Sequence, residues 1–178
     1  MKTKFLIIWF LLFSQFAISQ TENTDVRKEL VASLEAQLGV RETPKNSNRG
    51  QAIDLYLRTV GSTPPNPWCV AFVGSNLYWC GIPNPKTAWS PDYAKPQDII
   101  WTYTNSHSKK PLAGDVATFY YDNIGRVGHG GFYIKTDSDG YFITIEGNTN
   151  GAGSREGDGI YKKKRSQYQV HAITRYIK

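Results

Sequence analysis

The chain reads as an α+β domain, with helices first and an antiparallel sheet second. Two observations predict this. Apolar residues recur at helical spacing up to about residue 80, and after Pro111 the pattern changes to alternation with β-formers between Gly, Asp and Asn clusters. That segregation is the α+β layout. The first helix is expected over Thr24 to Leu38, where Val26, Leu30, Leu34 and Leu38 lie four residues apart and Gly39 supplies a stop. A polar loop from Glu42 to Asn48 precedes a second helix over about Gly50 to Val60, with Ile53, Tyr56, Leu57 and Val60 on one face and Gly61 closing it. Pro64, Pro65 and Pro67 cannot continue that helix. A third begins behind them, about Cys69 to Cys80, with Val70, Val73 and Leu77 near helical spacing. An irregular aromatic segment then runs through Trp89, Tyr93 and Trp101. Five strands are expected: Asp115 to Tyr121, Gly130 to Lys135, Tyr141 to Glu146, Gly159 to Lys164 and Val170 to Ile177.

The first nineteen residues read as a signal peptide. Lys2 and Lys4 precede the apolar run Phe5 to Phe13, and Ala17-Ile18-Ser19 offers small residues where a signal peptidase cuts. The run is too short for a spanning helix, which needs ~20 residues. No cysteine lies near the cut, so a stable membrane anchor is not expected. The mature protein, residues 20–178, is expected to be one exported domain, periplasmic or secreted, and monomeric. Removing Lys2 and Lys4 takes the net charge from +6 to +4, mildly basic and suited to an anionic surface such as a cell wall. The single basic run, Lys162-Lys163-Lys164-Arg165, has no interleaved aromatics, so nucleic acid is not an expected partner.

Cys69 is the candidate nucleophile. It falls at a helix N-terminus, where exposed N–H groups and the helix dipole favour the thiolate. A buried structural cysteine is the competing reading. The other cysteine, Cys80, lies eleven residues on, or ~16 Å along a helix. A disulfide needs Cα atoms within about 7 Å. Pairing is therefore excluded provided that residues 70–79 are helical, and Cys80 reads as structural.

Three histidines are candidate bases. His107 lies in the polar loop Asn105 to Lys110, and His171 sits among apolar residues of the last strand. His129 opens a strand between glycines that leave room for another group. Asp137-Ser138-Asp139-Gly140 is a turn signal. With a symmetric loop, Asp137 pairs with Gly140, Tyr133 with Thr144, Gly131 with Glu146 and His129 with Asn148. His129, Glu146 and Asn148 then share a face, with Glu146 diagonal to the histidine. A three-residue loop shifts the register by one and sends Glu146 to the other face.

The segments Pro67-Trp68-Cys69-Val70-Ala71-Phe72-Val73, Gly114-Asp115-Val116, Gly128-His129-Gly130-Gly131-Phe132-Tyr133-Ile134 and Ile145-Glu146-Gly147-Asn148 together resemble the CHAP domain, the cysteine, histidine-dependent amidohydrolase/peptidase family. Gly39-Val40-Arg41-Glu42, Asn48-Arg49-Gly50 and the stretch from Gly147 to Tyr161 resemble one subgroup, so the similarity extends from about Leu38 to Arg175. The resemblance implies a papain-like α+β fold and hydrolysis of amide bonds in peptidoglycan, with Cys69 as nucleophile, His129 as base and Glu146, assisted by Asn148, as orienter. A separate wall-binding module is not apparent. No cofactor is implied, and the histidines lack metal-ligand spacing such as His-x-x-x-His. Candidate substrate contacts are Trp68, Trp89 and Trp101 for glycan or peptide, and Glu42, Asn48 and Arg49 for peptide; core packing and a solvated loop are the competing roles. Asp115 is expected to order a turn. Two rival functions are a wall-binding module that does not cut, and an amidase for another small peptide or polyamine conjugate.

Overall fold

The structure, a computed structural model, describes residues 23–105 and 109–178. The proposed signal peptide and His107 lie outside these residues. Helix α1 covers 23–36, α2 Gln51–Thr59 and α3 Cys69–Trp79. Six strands follow: β1 Ile99–Trp101, β2 Val116–Tyr121, β3 Arg126–Thr136, β4 Phe142–Thr149, β5 Gly159–Arg165 and β6 Ala172–Thr174. They form one antiparallel sheet in the order β1-β6-β2-β3-β4-β5. The α+β arrangement expected from the sequence, helices before sheet, is the one observed. No helix of the described residues is long and apolar enough to cross a membrane.

The helices take their places for ordinary reasons. Leu30 and Leu34 of α1 and Ile53, Tyr56 and Leu57 of α2 are buried. Each such side chain contributes about 1.5–3 kcal/mol when fully removed from water. α3 differs, because every residue from Cys69 to Leu77 is buried, which makes it the central helix. It can lie close to the sheet because Gly130 and Gly147 carry no side chain there. A Cβ on Gly130 would stand 2.9 Å from Val70, and one on Gly147 2.7 Å from Trp68. A polar link ties the three helices together. The Gln37 amide donates to Asn76 Oδ1 of α3 (2.6 Å) and accepts from the Tyr56 hydroxyl of α2 (2.6 Å), just beyond the end of α1.

Alternation along the strands divides the core in two. Val116, Phe132, Ile145 and Ile160 join the helices in the larger cluster, whereas Ala117, Phe119, Tyr133, Phe142 and Ile173 form a smaller one. Asp115, which the sequence assigned to a turn, accepts from the Leu112 N–H (2.8 Å). It also holds Arg27 of α1 and Arg175 near the C-terminus.

Four details differ from the sequence reading. Ile99–Trp101 forms an edge strand within the segment read as irregular. The last strand is only Ala172–Thr174, and His171 precedes it as an exposed residue with its ring 5.5 Å from that of Tyr120. β3 begins at Arg126, so His129 lies within the strand rather than at its start. The β3–β4 turn also differs: Asp137 N–H donates to Tyr141 O (2.9 Å) and Thr136 pairs with Phe142. The loop is therefore the three-residue kind, and Asp137 is not paired with Gly140. A bulge between Tyr133 and Lys135 takes up the shift, so Tyr133 still pairs with Thr144 and Phe132 with Ile145.

Candidate active site

Cys69 is the first residue of α3, and no side chain caps the helix in front of it. Its first N–H groups therefore have no side-chain cap, and that of Val70 bonds the Cys69 sulfur. The residue before it, Trp68, is wholly buried and stacks on Tyr56 with ring centroids 5.9 Å apart. Trp68 Nε1 donates to Glu42 Oε1 (2.8 Å), and Glu42 Oε2 accepts from the Asn48 N–H (3.1 Å). Asn148 secures the same corner. With its amide oriented so that both ends are satisfied, its side-chain oxygen accepts from the Trp68 N–H (3.1 Å), and its nitrogen donates to Gly157 O (2.9 Å). These residues fix the start of α3 from behind.

Several sequence expectations change accordingly. Trp68 packs in the core instead of lining a cleft, Glu42 is taken up by the bonds just described, and Asn48 supplies its backbone N–H to Glu42 and does not line the cleft. Arg49 forms a two-pronged pair with Asp54 (3.1 Å for each prong). Trp101 packs on Phe142 in the smaller core cluster, 5.0 Å between centroids. Asn148 does not bond to His129. Its backbone is left-handed, with φ 52°, where the β4–β5 register slips between Glu146 and Thr149. The slip turns its side chain toward Trp68.

His129 and Glu146 do meet. His129 Nε2 lies 2.9 Å from Glu146 Oε2, and both side chains are 0% exposed. A buried carboxylate must be fully bonded. Glu146 accepts from Arg165 through Nε (2.9 Å) and Nη2, from Thr144 Oγ1, and from His129. Arg165 also lies over the Phe119 ring, 4.8 Å from its centroid, and Phe119 flanks His129 at 5.5 Å. Gly131 makes the approach possible, since a Cβ there would stand 2.5 Å from Glu146 Cγ. Arg165 and Thr144, which bond Glu146, belong to the candidate site and are not among the residues the sequence singled out. Thr144 was detectable by strand alternation, two residues before Glu146, but Arg165 was concealed in a basic run.

The other imidazole nitrogen, Nδ1, is buried and forms no hydrogen bond within ordinary limits. Cys69 and His129 nonetheless perturb each other as thiol and base. The two groups interact electrostatically, although no hydrogen bond from Nδ1 meets ordinary limits; catalytic bonds commonly tighten only once substrate is bound. Burial pushes the Cys69 thiol up. His129, the Ser90 hydroxyl at 3.8 Å and the Val70 N–H more than offset this and leave it below its ordinary value. Burial alone would lower His129, but Cys69 and Glu146 raise it to about 9. Burial would raise Glu146 too, yet Arg165 and His129 hold it well below the carboxylate range. All three shifts favour thiolate, imidazolium and carboxylate together.

Cys69 forms part of an open cleft of about 600 Å³, along with Thr63, Asn66, Trp89, Ser90, Arg126 and Arg155. Trp89 is therefore the one proposed substrate contact that lines it. Cys80, just past the other end of α3, is also a free thiol, and burial followed by Glu29 raises its pKa. At pH 7, iodoacetamide is expected to alkylate Cys69 before Cys80 in the folded protein. Peptide mapping that finds equal labelling, or Cys80 labelled first, would contradict the assignment of the reactive thiol.

Among the described residues, no cluster of three or more His, Cys, Asp or Glu side chains is arranged to hold a metal ion. Residues 61–148 match the family model of the CHAP domain. The match contains Cys69, His129, Glu146 and Asn148, and leaves out both the Gly39–Gly50 motifs and Arg165. The chain has no significant match among curated proteins or among solved structures.

Proposed function

From the chain's membership of the CHAP domain family, which makes it a peptidoglycan amidase/peptidase-type hydrolase at the family level, we propose that it is an exported cysteine hydrolase that cuts amide bonds of bacterial peptidoglycan at Cys69. One observation carries the proposal. A thiol on an open cleft is backed by an imidazole, which is itself held by a fully bonded, buried carboxylate.

The chemistry is acyl transfer. The Cys69 thiolate attacks the amide carbonyl carbon, and the carbonyl π electrons move onto oxygen. The uncapped N–H groups at the start of α3 receive that oxyanion. When the tetrahedral intermediate collapses, the C–N bond breaks and the His129 imidazolium gives its proton to the departing amine. A thioester remains on Cys69. Water then attacks it while His129 takes a proton, the C–S bond breaks, and a carboxylic acid leaves. Glu146 accepts from Nε2–H throughout, so Nδ1 is the nitrogen that exchanges protons with sulfur, nitrogen and water. Arg165 and Thr144 hold Glu146 in place, a positioning role.

A binding module that does not cut would have no need of a depressed thiol beside a raised imidazole. The test is digestion of purified sacculi followed by mass spectrometry. Release of free stem peptides would identify the sugar–peptide amide as the target, and shortened peptides still on sugar a peptide bond. Fragments bearing new amine and carboxylate ends are expected from the native protein and not from Cys69→Ala. Absence of new ends with native protein, or equal production by Cys69→Ala, would overturn the reading.

A further inference from the structure

We propose that Arg126 and Arg155, with Trp89, form a carboxylate-binding subsite beside Cys69, so that the enzyme selects amides whose neighbourhood carries a free carboxylate over the same amides with that group neutralised. This rests on the hydrolase reading above and adds a substrate requirement to it. Among the described residues, the cleft is lined by two arginines and by no aspartate or glutamate. Such a one-sided lining attracts anions and repels cations.

Arg126 is built for a planar anion. Its guanidinium lies over the Trp89 ring, 4.2 Å from the centroid, and Nη1 donates to Val127 O (2.9 Å). The ring contact and the Val127 bond hold the guanidinium in place while leaving Nε and Nη2 without a protein acceptor among the described residues, and a guanidinium so held can receive a carboxylate in two-pronged fashion. Among the described residues, no carboxylate pairs with Arg126. Arg155 reaches the same cleft across Gly128, where a Cβ would stand 3.1 Å from Arg155 Cδ. Gly128 is the extra residue where β3 bulges against β2, between the pairs Phe119–His129 and Tyr120–Val127. The bulge that sets His129 therefore also opens the path for Arg155. Arg155 pairs with Glu156, whose side chain is 59% exposed. A pair so open to water is weak, and a substrate carboxylate can replace it.

Initial rates of amine release would be compared on purified peptidoglycan and on the same material with its carboxylates converted to carboxamides. The native protein is expected to cleave the untreated form roughly tenfold faster or more, the scale of one charge-assisted hydrogen bond to an ionised group. In Arg126→Gln/Arg155→Gln that ratio should fall to near one. Because both substrates meet the same preparation, partial loss of folded protein cancels from the ratio. Equal rates for the native protein on both substrates would overturn the subsite and leave the hydrolase reading standing. A tenfold preference retained by the double variant would overturn it as well, since the discrimination would lie elsewhere. No cleavage of either substrate would overturn both readings.

Discussion

Cys69→Ala and His129→Ala are each expected to lower kcat/KM on peptidoglycan by roughly six orders of magnitude, the scale seen when a nucleophile or its base is removed. Without Sγ no thioester forms. Without the imidazole the thiolate loses its counter-ion and the departing amine its proton donor. Because the two act on one proton, the double variant should be little worse than either single one. The exposed His171, outside the cleft, is the control: His171→Ala should keep most activity. In the native protein, kcat/KM should also decline as pH rises through about 9, where His129 loses its proton. Circular dichroism would establish that each variant is folded. A folded His129→Ala that retained a tenth of native activity would remove His129 from the proposed mechanism.

The sequence made the helices and the nucleophile's position readable for concrete reasons. Prolines end one segment directly before Cys69, and the apolar run behind it has no polar face, as suits a central helix. The contact between His129 and Glu146 is reachable by counting back from a symmetric hairpin turn, although the turn that forms is the three-residue alternative. The three-residue loop and the bulge near Ile134 are two shifts that cancel. Counting cannot detect a bulge, because it depends on packing rather than on a turn signal. The same limit hid Asn148, which a second register slip turns away from His129 toward Trp68. Arg165 was obscured by its neighbours. In Lys162-Lys163-Lys164-Arg165 only the last is buried, because it alone faces a buried carboxylate. Trp68 misled for the opposite reason: adjacency to Cys69 suggested the cleft, whereas its ring N–H is bound to Glu42 in the core. Arg126 and Arg155 reach one cleft from a strand start and a loop, a juxtaposition that only the folded chain creates.

Arg165→Met should destabilise the fold by about 3–5 kcal/mol, the usual cost of breaking a buried ion pair from one side. Two of the four bonds that satisfy Glu146 come from this guanidinium, and Glu146 is 0% exposed. Left with Thr144 and His129, the carboxylate is under-solvated, so its pKa should rise and its hold on His129 weaken. The loss should depend on pH in a definite direction. In the native protein the Glu146 pKa is depressed, so its stabilisation is present above the unfolded value of about 4.3 and is lost as pH falls toward about 2. His129 is raised, so its contribution is complete below about 6.5 and is lost as pH rises through about 9. Arg165→Met should remove much of the acid-side dependence, bringing the urea midpoints of variant and native protein closer together as pH falls below about 4. Pairing it with Glu146→Gln should recover part of the stability, because no unpaired charge is then buried. Activity should not recover with it, since a neutral amide cannot stabilise the His129 imidazolium as a carboxylate does. Urea midpoints of Arg165→Met that match the native protein at pH 6, or a double variant less stable than Arg165→Met alone, would show that the guanidinium does not hold Glu146 as described.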